Sequence, residues 1–301
     1  MRVKHLFTLL GLLTLPLVSW AQDDLLAELD AIAPPPPKAY VYATFKGTRV
    51  INQQSVELPA AGVGQFVIGH RFGALNDQPL YNLFGLDVAQ IRFEYSYSPV
   101  KWLNFGAGRS SGSKTYDGFA KVRFTRQSSS TGFNWPVTTA YYTNATIVTT
   151  PFSDGFDHFV SDRMAYTHQF LVARKFNEAF SFQIAPTLVH FNLVEKATDK
   201  NDRFGIAFGG RYKLTQRMAL TGEYMLRADR GAWANDPFAD ALSIGVDIET
   251  GGHVFQFHLT NARSMADPQW MMQTPGQWGK GDIFLGFNIT RVFTHVAPDY
   301  K

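Results

Sequence analysis

The sequence predicts an all-β protein, a transmembrane antiparallel up-and-down β-barrel of about 12 strands, preceded by a short N-terminal helix and a Pro-rich spacer. Three observations support this. Runs of about ten residues alternate between apolar and polar side chains, as the strands of membrane barrels do. The links between those runs alternate between short and long. A secretory leader precedes them.

The leader is the first 21 residues of the chain. Arg2 and Lys4 precede the apolar run 6–18, and small residues at 19 and 21 mark a cleavage site. Its removal lowers the formal charge from +3 to +1, a balance that argues against a nucleic-acid partner. The chain has no cysteine, which excludes disulfides, thiolate metal sites and a cysteine nucleophile.

Residues 22–62 are predicted to form a periplasmic N-terminal segment. Residues 23–32 carry leucines at helical spacing, and four prolines at 34–37 favour an extended spacer. Residues 40–50 resemble a strand with poor alternation. This strand has three possible places: the barrel seam, the lumen as a plug, or the periplasm.

Residues 63–301 are assigned to the barrel. Its predicted strands are 64–72, 89–98, 102–110, 116–126, 137–149, 163–176, 180–193, 202–214, 218–228, 240–250, 253–261 and 282–293. In 202–214, Phe204, Ile206 and Phe208 share one face while Arg203 and Arg211 share the other, because successive strand side chains point to opposite faces. A charge facing lipid at mid-bilayer costs about 2–4 kcal/mol, so the charged face must point inward.

This rule divides the strand positions into two sets. The predicted lumen-lining residues are Arg71, Arg92, Glu94, Asp117, Lys121, Arg123, Arg203, Arg211, Lys213, Glu223, Asp247 and Glu249. The predicted lipid-facing residues are Ile91, Phe93, Phe204, Ile206, Phe208, Leu242, Ile244, Val246, Leu285 and Phe287. The aromatic residues near strand ends are interpreted as interfacial girdles: Tyr97, Trp102, Trp135, Tyr212 and Phe293.

The lengths of the links predict the orientation. The links 99–101, 177–179, 215–217 and 251–252 are short, whereas most links on the opposite side are long. Outer-membrane barrels have short periplasmic turns and long outer loops, so we expect the bacterial outer membrane of a Gram-negative cell with both barrel termini in the periplasm. The long link 127–136 fits this scheme less well. Pro186 interrupts a strand in a sheet without edges, which predicts a bulge.

Four segments together are similar to a known family: ATFKGTRVINQQSVE at 43–57, IGHRFG at 68–73, GRSSGSKTYDGFAKVRFTRQS at 108–128 and HVFQFHLTNARSM at 253–265. They resemble a bacterial outer-membrane β-barrel family that is classed as a domain of unknown function (domain of unknown function 5777). The resemblance spans roughly 40–293, nearly all of the mature chain. It implies an outer-membrane barrel and carries no activity or site residues.

The favoured functional hypothesis is a narrow channel or uptake barrel for a small solute. Twelve strands lie between eight, whose interior is filled by side chains, and sixteen, which enclose a water channel. The inward charges either line a narrow polar pore or pair across the lumen and plug it. The expected partners are outer-membrane lipids and, during biogenesis, the barrel-assembly machinery, because the final strand is amphipathic and ends near an aromatic residue.

Two alternatives involve the loops and catalysis. The loop 262–281 is unusually apolar for an exposed loop, which indicates either a surface binding site or, as we favour, a loop folded inward. Its candidate binding residues are Trp270, Met271, Met272 and Trp278. A lipid hydrolase is the third class, but its best candidate base, His168, has Phe170 where a serine would be needed. No enzyme activity, catalytic residue, metal site or cofactor is predicted.

Overall fold

The computed structural model describes residues 39–129, 133–231 and 236–297. The predicted leader, helix 23–32 and proline spacer lie outside these residues. No helix among the described residues is long and apolar enough to cross a membrane.

Twelve strands within the described residues close into one antiparallel barrel. They are β2 (Val63–Ala74), β3 (Ala89–Val100), β4 (Leu103–Ser110), β5 (Thr115–Thr125), β7 (Thr138–Val148), β8 (Met164–Lys175), β9 (Phe180–Phe191), β10 (Asp202–Lys213), β11 (Met218–Arg227), β12 (Ala241–Thr250), β13 (His253–Thr260) and β14 (Phe284–Thr294). Two short strands, β1 (Ala39–Tyr40) and β6 (Ser128–Ser129), pair with each other outside the barrel. The one α-helix of the described residues is α1 (Asp267–Met272).

The barrel closes where its last strand meets its first. β14 pairs with β2, and Ile289 lies opposite Ile68. Closure leaves no strand edge with unpaired backbone groups, which is the condition for placing a sheet in hydrocarbon. The predicted fold class is therefore confirmed, and each predicted strand agrees with an observed one to within two residues at either end.

The two ends of the barrel differ in the length of their connections. At one, the short-turn end, the links 101–102, 176–179, 214–217 and 251–252 are tight, and β1 pairs with the longer link 126–137. At the other, the long-loop end, the connections 75–88, 149–163, 192–201, 228–240 and 261–283 are long. Trp102, Trp135, Tyr212 and Phe293 are exposed at the short-turn end.

The two faces of the sheet have opposite chemistry. Phe93, Phe204 and Ile244 point outward and are 47, 53 and 54% exposed. Arg71 and Lys121 point inward and are 1 and 0% exposed. The remaining predicted outward positions are partly exposed: Ile91, Ile206, Phe208, Leu242, Val246, Leu285 and Phe287. The barrel thus presents apolar side chains outward and encloses its charges.

The bulge expected near Pro186 is not formed, so that prediction was wrong. Gln169 pairs with Thr187 and Val172 with Ile184, so the register between β8 and β9 is unchanged across the proline. The pairing lapses only between these two pairs, because proline has no N–H to donate. The sheet tolerates the missing bond without inserting a residue.

Candidate functional site: a lumen closed by two segments

The inward face of the barrel wall carries both charged and apolar side chains. Arg92 on β3 is held by Glu94 of the same strand at 3.0 Å and by Asp117 of β5, two strands away, at 2.5 Å. On β8 and β9, the inward side chains of Leu171, Ala185 and Val189 are apolar and buried, although Gln169 and Gln183 on the same strands are polar and also buried. Alternation therefore predicts which side chains point inward, but not how polar each of them is.

Residues 43–58 fold into the lumen as an irregular hairpin, which we call the plug. The Val50 amide donates to the Gln53 carbonyl (2.8 Å) and the Ser55 amide to the Thr48 carbonyl (2.9 Å), which closes a tight turn. Phe45, Val50 and Val56 pack against apolar side chains of the wall. Of the three places left open for 40–50, the structure selects the lumen. The predicted strand there is not formed beyond Ala39–Tyr40.

Both ends of the plug are fixed at the short-turn end. The Val41 amide donates to the Gln127 carbonyl (2.9 Å), and the Gly62 amide donates to the Ser98 carbonyl (2.7 Å). Gly62 has φ of +77°, and a Cβ there would meet the Val296 carbonyl oxygen at 2.4 Å. A residue other than glycine would therefore be strained at this turn. The long link 127–136, which fitted the barrel pattern poorly, serves to anchor the plug.

Glu223 on β11 binds the tip of the plug. Its carboxylate accepts the backbone amides of Ile51 (3.1 Å), Asn52 (2.9 Å) and Gln53 (2.9 Å). It also accepts the Asn52 side-chain amide at 2.7 Å. Glu223 is 5% exposed, so these bonds are formed away from water. One wall carboxylate thus satisfies three consecutive main-chain donors that burial would otherwise leave unpaired.

Lys121 on β5 binds the base of the same turn from the opposite side of the lumen. Its ammonium donates to the Thr48 carbonyl (3.1 Å), the Ser55 carbonyl (2.9 Å) and Gln54 Oε1 (2.9 Å). A buried ammonium with three acceptors has its hydrogen-bonding capacity filled. Lys121 and Glu223 therefore hold the plug through its backbone.

Amide side chains of the wall complete this set, and the sequence analysis did not single them out. Gln183 Nε2 donates to the Gln54 carbonyl (2.7 Å), Gln256 Nε2 to the Val50 carbonyl (2.8 Å) and Asn288 Nδ2 to the Ile51 carbonyl (3.0 Å). An amide both donates and accepts, so it matches backbone groups. Their inward parity was visible in the sequence, but their ligand, the chain's own backbone, was not.

The connection 261–283 closes the lumen from the long-loop end, because α1 turns inward. Trp270, Met271 and Met272 are 1, 0 and 0% exposed and pack in the same apolar cluster as the plug. Trp278 stays near the rim, where its Nε1 donates to the Leu242 carbonyl at 2.9 Å. Three of the four apolar loop residues thus form an internal contact surface, and Trp278 lies at the rim.

The plug and α1 meet at Arg49. The Arg49 guanidinium lies 2.6 Å from Glu94 Oε2 and 3.6 Å from Asp267 Oδ1, at the first residue of α1. Asp267 Oδ2 also accepts the Tyr142 hydroxyl (2.5 Å) and the Asn144 side-chain amide (3.1 Å). Two segments that enter the barrel from opposite ends therefore share one buried ionic cluster.

What remains of the lumen is a cavity on either side of these segments. At the long-loop end a cavity of about 230 Å³ is bounded by Phe152, Arg163 and Phe191, with Pro268 and Gln269 of α1. At the short-turn end a cavity of about 320 Å³ lies beside Lys46, Glu57 and Glu249. Between them, around Arg49, only about 20 Å³ is open. In the described structure the lumen is therefore blocked.

The other predicted lumen residues lie at various heights along the wall. Glu249 pairs with Lys46 of the plug. Arg123 donates to the Lys101 carbonyl. Arg211 and Asp247 are buried, and Asp247 accepts a bond from Gln256 at 3.0 Å. Lys213 lies on the inward parity near the short-turn end and is partly exposed.

Arg203 belongs to an ionic cluster under the long-loop end. Its Nε lies 3.0 Å from Asp229, and Arg227 lies 2.8 Å from Asp236 in the connection 228–240. Burial raises the pKa of Asp236, but the hydrogen bond from Arg227 and the Phe238 amide lower it more, so the pKa lies below its ordinary value of 3.8. The carboxylate form therefore holds this connection against the barrel.

Acid should loosen the connection 228–240. A carboxylate with a lowered folded pKa stabilises fully above its unfolded pKa, and the stabilisation is lost as pH falls through the folded value. We expect pepsin to cleave this connection more slowly in the native protein than in Asp236→Asn at pH 5, with the two rates converging as the pH falls below 3.8 and through the lowered pKa of Asp236. The ratio of the two cleavage rates is compared at each pH, because the pH dependence of pepsin itself cancels in that ratio. A ratio that does not change with pH would show that Asp236 does not hold the connection.

His168, the candidate base of the hydrolase alternative, and the polar residues of connection 149–163 make only local contacts in the described residues. His168 faces outward, with Nδ1 2.8 Å from the Tyr141 hydroxyl and 3.2 Å from Thr143 Oγ1. In the long-loop connection 149–163, His158 lies 2.8 Å from Asp154. The described residues contain no group of three or more potential metal ligands.

A closed antiparallel barrel with an apolar exterior and a buried ionic interior is the architecture of a membrane-spanning β-barrel protein. This chain belongs to the family of membrane-bound β-barrel domains designated domain of unknown function 5777, whose model matches residues 45–293. The family predicted from the four sequence segments is thereby confirmed. The match begins inside the plug, so the plug and the barrel belong to one family unit.

Similar solved structures are distant. They include the KdgM porin (6% identity, TM-score 0.47, covering 77% of this chain and 99% of that one) and the NanC porin (6%, 0.49, 77% and 100%). LpxR from Salmonella typhimurium is also similar (9%, 0.36, 76% and 100%). No curated protein matches the chain.

Proposed function

We propose that this protein is an outer-membrane channel or uptake barrel for a small polar solute, and that the described structure is its closed state. The short-turn end then faces the periplasm, the long-loop end faces outward, and the outer surface contacts outer-membrane lipids. Its strands would be inserted by the barrel-assembly machinery. Short turns on one side and long loops on the other support this orientation.

The observation that carries the proposal is that a separable segment closes the lumen. The plug belongs to none of the barrel strands, and every strand of the barrel pairs with two others. The plug can therefore leave without breaking the hydrogen bonds of the sheet. Arg71, Lys121 and Glu223, which now bind it, would then face a polar passage. Ionisable residues inside membrane proteins commonly mark such pathways.

A purely structural barrel is the competing function, and its lumen would stay filled. Buried ion pairs contribute little to stability compared with apolar packing of equal volume. The charged side chains of this wall are therefore a costly way to fill a static interior. We consequently favour a lumen that is polar because it is sometimes hydrated.

Planar-bilayer recording tests the proposal. Residues 43–58 are replaced by a glycine–serine linker of equal length, which keeps Val41 and Gly62 in place. We expect the native protein to be closed most of the time and the linker variant to show stepwise conductance. Folding of both proteins is checked by the shift in gel mobility on heating. A folded linker variant that conducts no ions would favour the structural barrel.

A further inference from the structure

We propose that α1 and the plug act as one latch, through which displacement of α1 at the long-loop end releases the plug toward the short-turn end. The barrel would then transmit an event from one side of the membrane to the other, whether or not it conducts. The coupling lies in Arg49, which is the only charged residue among residues 47–56 of the plug.

The plug, α1 and the barrel wall share one cluster of charged side chains. Arg49 contacts Glu94 of the wall and Asp267 of α1, while Arg92 contacts Glu94 and Asp117. Asn144 joins the two sides, since its amide lies 3.2 Å from Asp117 and 3.1 Å from Asp267. Three carboxylates are thus arranged around two guanidinium groups.

Separating the charged partners in this cluster is energetically costly. Arg49 and Asp267 are 8 and 2% exposed, so water cannot replace either partner while the other stays in place. Withdrawal of the plug would leave Arg92 alone with three carboxylates, which disfavours the inward position of α1. Withdrawal of α1 would remove one of the two carboxylates from Arg49. Each segment therefore stabilises the other.

Apolar packing couples the same two segments. Phe45, Val50 and Val56 of the plug and Trp270, Met271 and Met272 of α1 belong to one buried cluster. Buried side chains in contact with one another cannot easily rearrange, so a shift of one segment leaves unfilled space beside the other. Ionic and apolar contacts thus favour the same concerted movement.

The event that displaces α1 would act at the long-loop end of the barrel. Pro268, Gln269 and Gln273 bound the cavity of about 230 Å³ there, so anything that enters this cavity touches α1 directly. α1 is also tied to the rim, because the Ala239 amide donates to the Thr274 carbonyl at 2.8 Å and Arg227 donates to the Met272 carbonyl at 3.3 Å. Contacts at the rim therefore reach the helix.

Cysteine labelling tests the latch, since the chain has no native cysteine. Gln53 at the tip of the plug is 0% exposed, and no hydrogen bond to its side-chain amide is found among the described residues, so Gln53→Cys is a mild reporter. In this background we expect Asp267→Ala to raise the rate of maleimide labelling about tenfold, within the usual range of coupling between sites. Asp282→Ala is the control and should leave the rate unchanged. The Asp282 carboxylate lies in the same connection but, among the described residues, accepts hydrogen bonds only from the Asn76 side-chain amide and the Gln277 backbone amide.

A double variant separates coupling from general loosening. If Arg49 and Asp267 act through each other, Arg49→Met combined with Asp267→Ala should label no faster than the faster single variant. If the rate increases of the two single variants multiply in the double variant, Arg49 and Asp267 act independently, and the latch is overturned. An unchanged labelling rate in Asp267→Ala would overturn it as well. Retained heat-dependent gel mobility shows that each barrel is folded. Conduction by the linker variant is a separate result, so failure of the channel proposal and failure of the latch are distinguishable.

Discussion

Replacing Glu223 by alanine is expected to detach the tip of the plug from the barrel wall. The substitution removes the acceptor of three consecutive backbone amides at 2.9 to 3.1 Å and leaves those donors buried. Each buried donor that is left unpaired costs about 1–3 kcal/mol, so the three together cost at least about 3 kcal/mol. The tip of the plug can avoid this cost by moving into water at the short-turn end, where its amides are hydrated.

The measurement is the rate at which Gln53→Cys reacts with a maleimide in the folded barrel. A change of about 3 kcal/mol would raise that rate by roughly a hundredfold. Glu223→Gln keeps one acceptor oxygen in the same volume, so an intermediate rate is expected. Unchanged labelling in Glu223→Ala would show that the amides of the tip are held by other groups.

Glu249→Ala is the matched control for that result. Glu249 is also an inward carboxylate that binds the plug, through Lys46, but its side chain is 39% exposed and its partner's is 22% exposed. Exposed ion pairs contribute under about 1 kcal/mol. Labelling at position 53 should therefore barely change. Equal effects of the two variants would mean that any loss of negative charge from the wall releases the plug.

A charge on the outer surface should prevent stable insertion of the barrel. Ile244 points outward near the middle of β12 and is 54% exposed. Arginine at the bilayer midplane costs about 2–4 kcal/mol, whereas the same residue near the interface costs about 0–1 kcal/mol. We expect Ile244→Arg to lower the midpoint of urea unfolding in lipid vesicles and to reduce the folded fraction after refolding.

Leu214→Arg is the control for this prediction. Leu214 follows β10 at the short-turn end and is 49% exposed, so it has similar size and exposure but lies at the predicted interface. The folded fraction of the Leu214→Arg variant should remain close to that of the native protein. Similar unfolding midpoints for Ile244→Arg and the native barrel would mean that the middle of the outer surface is not in contact with hydrocarbon.

The barrel could be predicted from the sequence because hydrocarbon imposes a simple rule on every strand. Side chains alternate between two media, so Phe93, Phe204 and Ile244 can be assigned outward and Arg71 inward without knowledge of any tertiary contact. The short turns reveal the order and direction of the strands. The family resemblance added the same fold independently.

The closure of the lumen could not be predicted in the same way. Residues 43–58 have no regular periodicity, and their backbone is held by Lys121, Glu223 and wall amides instead of by a neighbouring strand. The sequence identified both charges as inward but gave no sign of their ligand. Pro186 was predicted incorrectly for a different reason. The general rule that proline disrupts an interior strand predicted a bulge, whereas the sheet accommodates Pro186 through a missing hydrogen bond and keeps its register.

The two fixed ends of the plug determine how the barrel can open. The chain is held at Val41 and again at Gly62, both at the same rim, so residues 43–58 form a loop that has no free end. Such a loop can swing out as a flap hinged at two points, but it cannot be drawn through the pore like a thread. A single peptide-bond cut beside Gly62 would convert the flap into a tether held at its Val41 side, where the ladder between β1 and β6 contains two residue pairs.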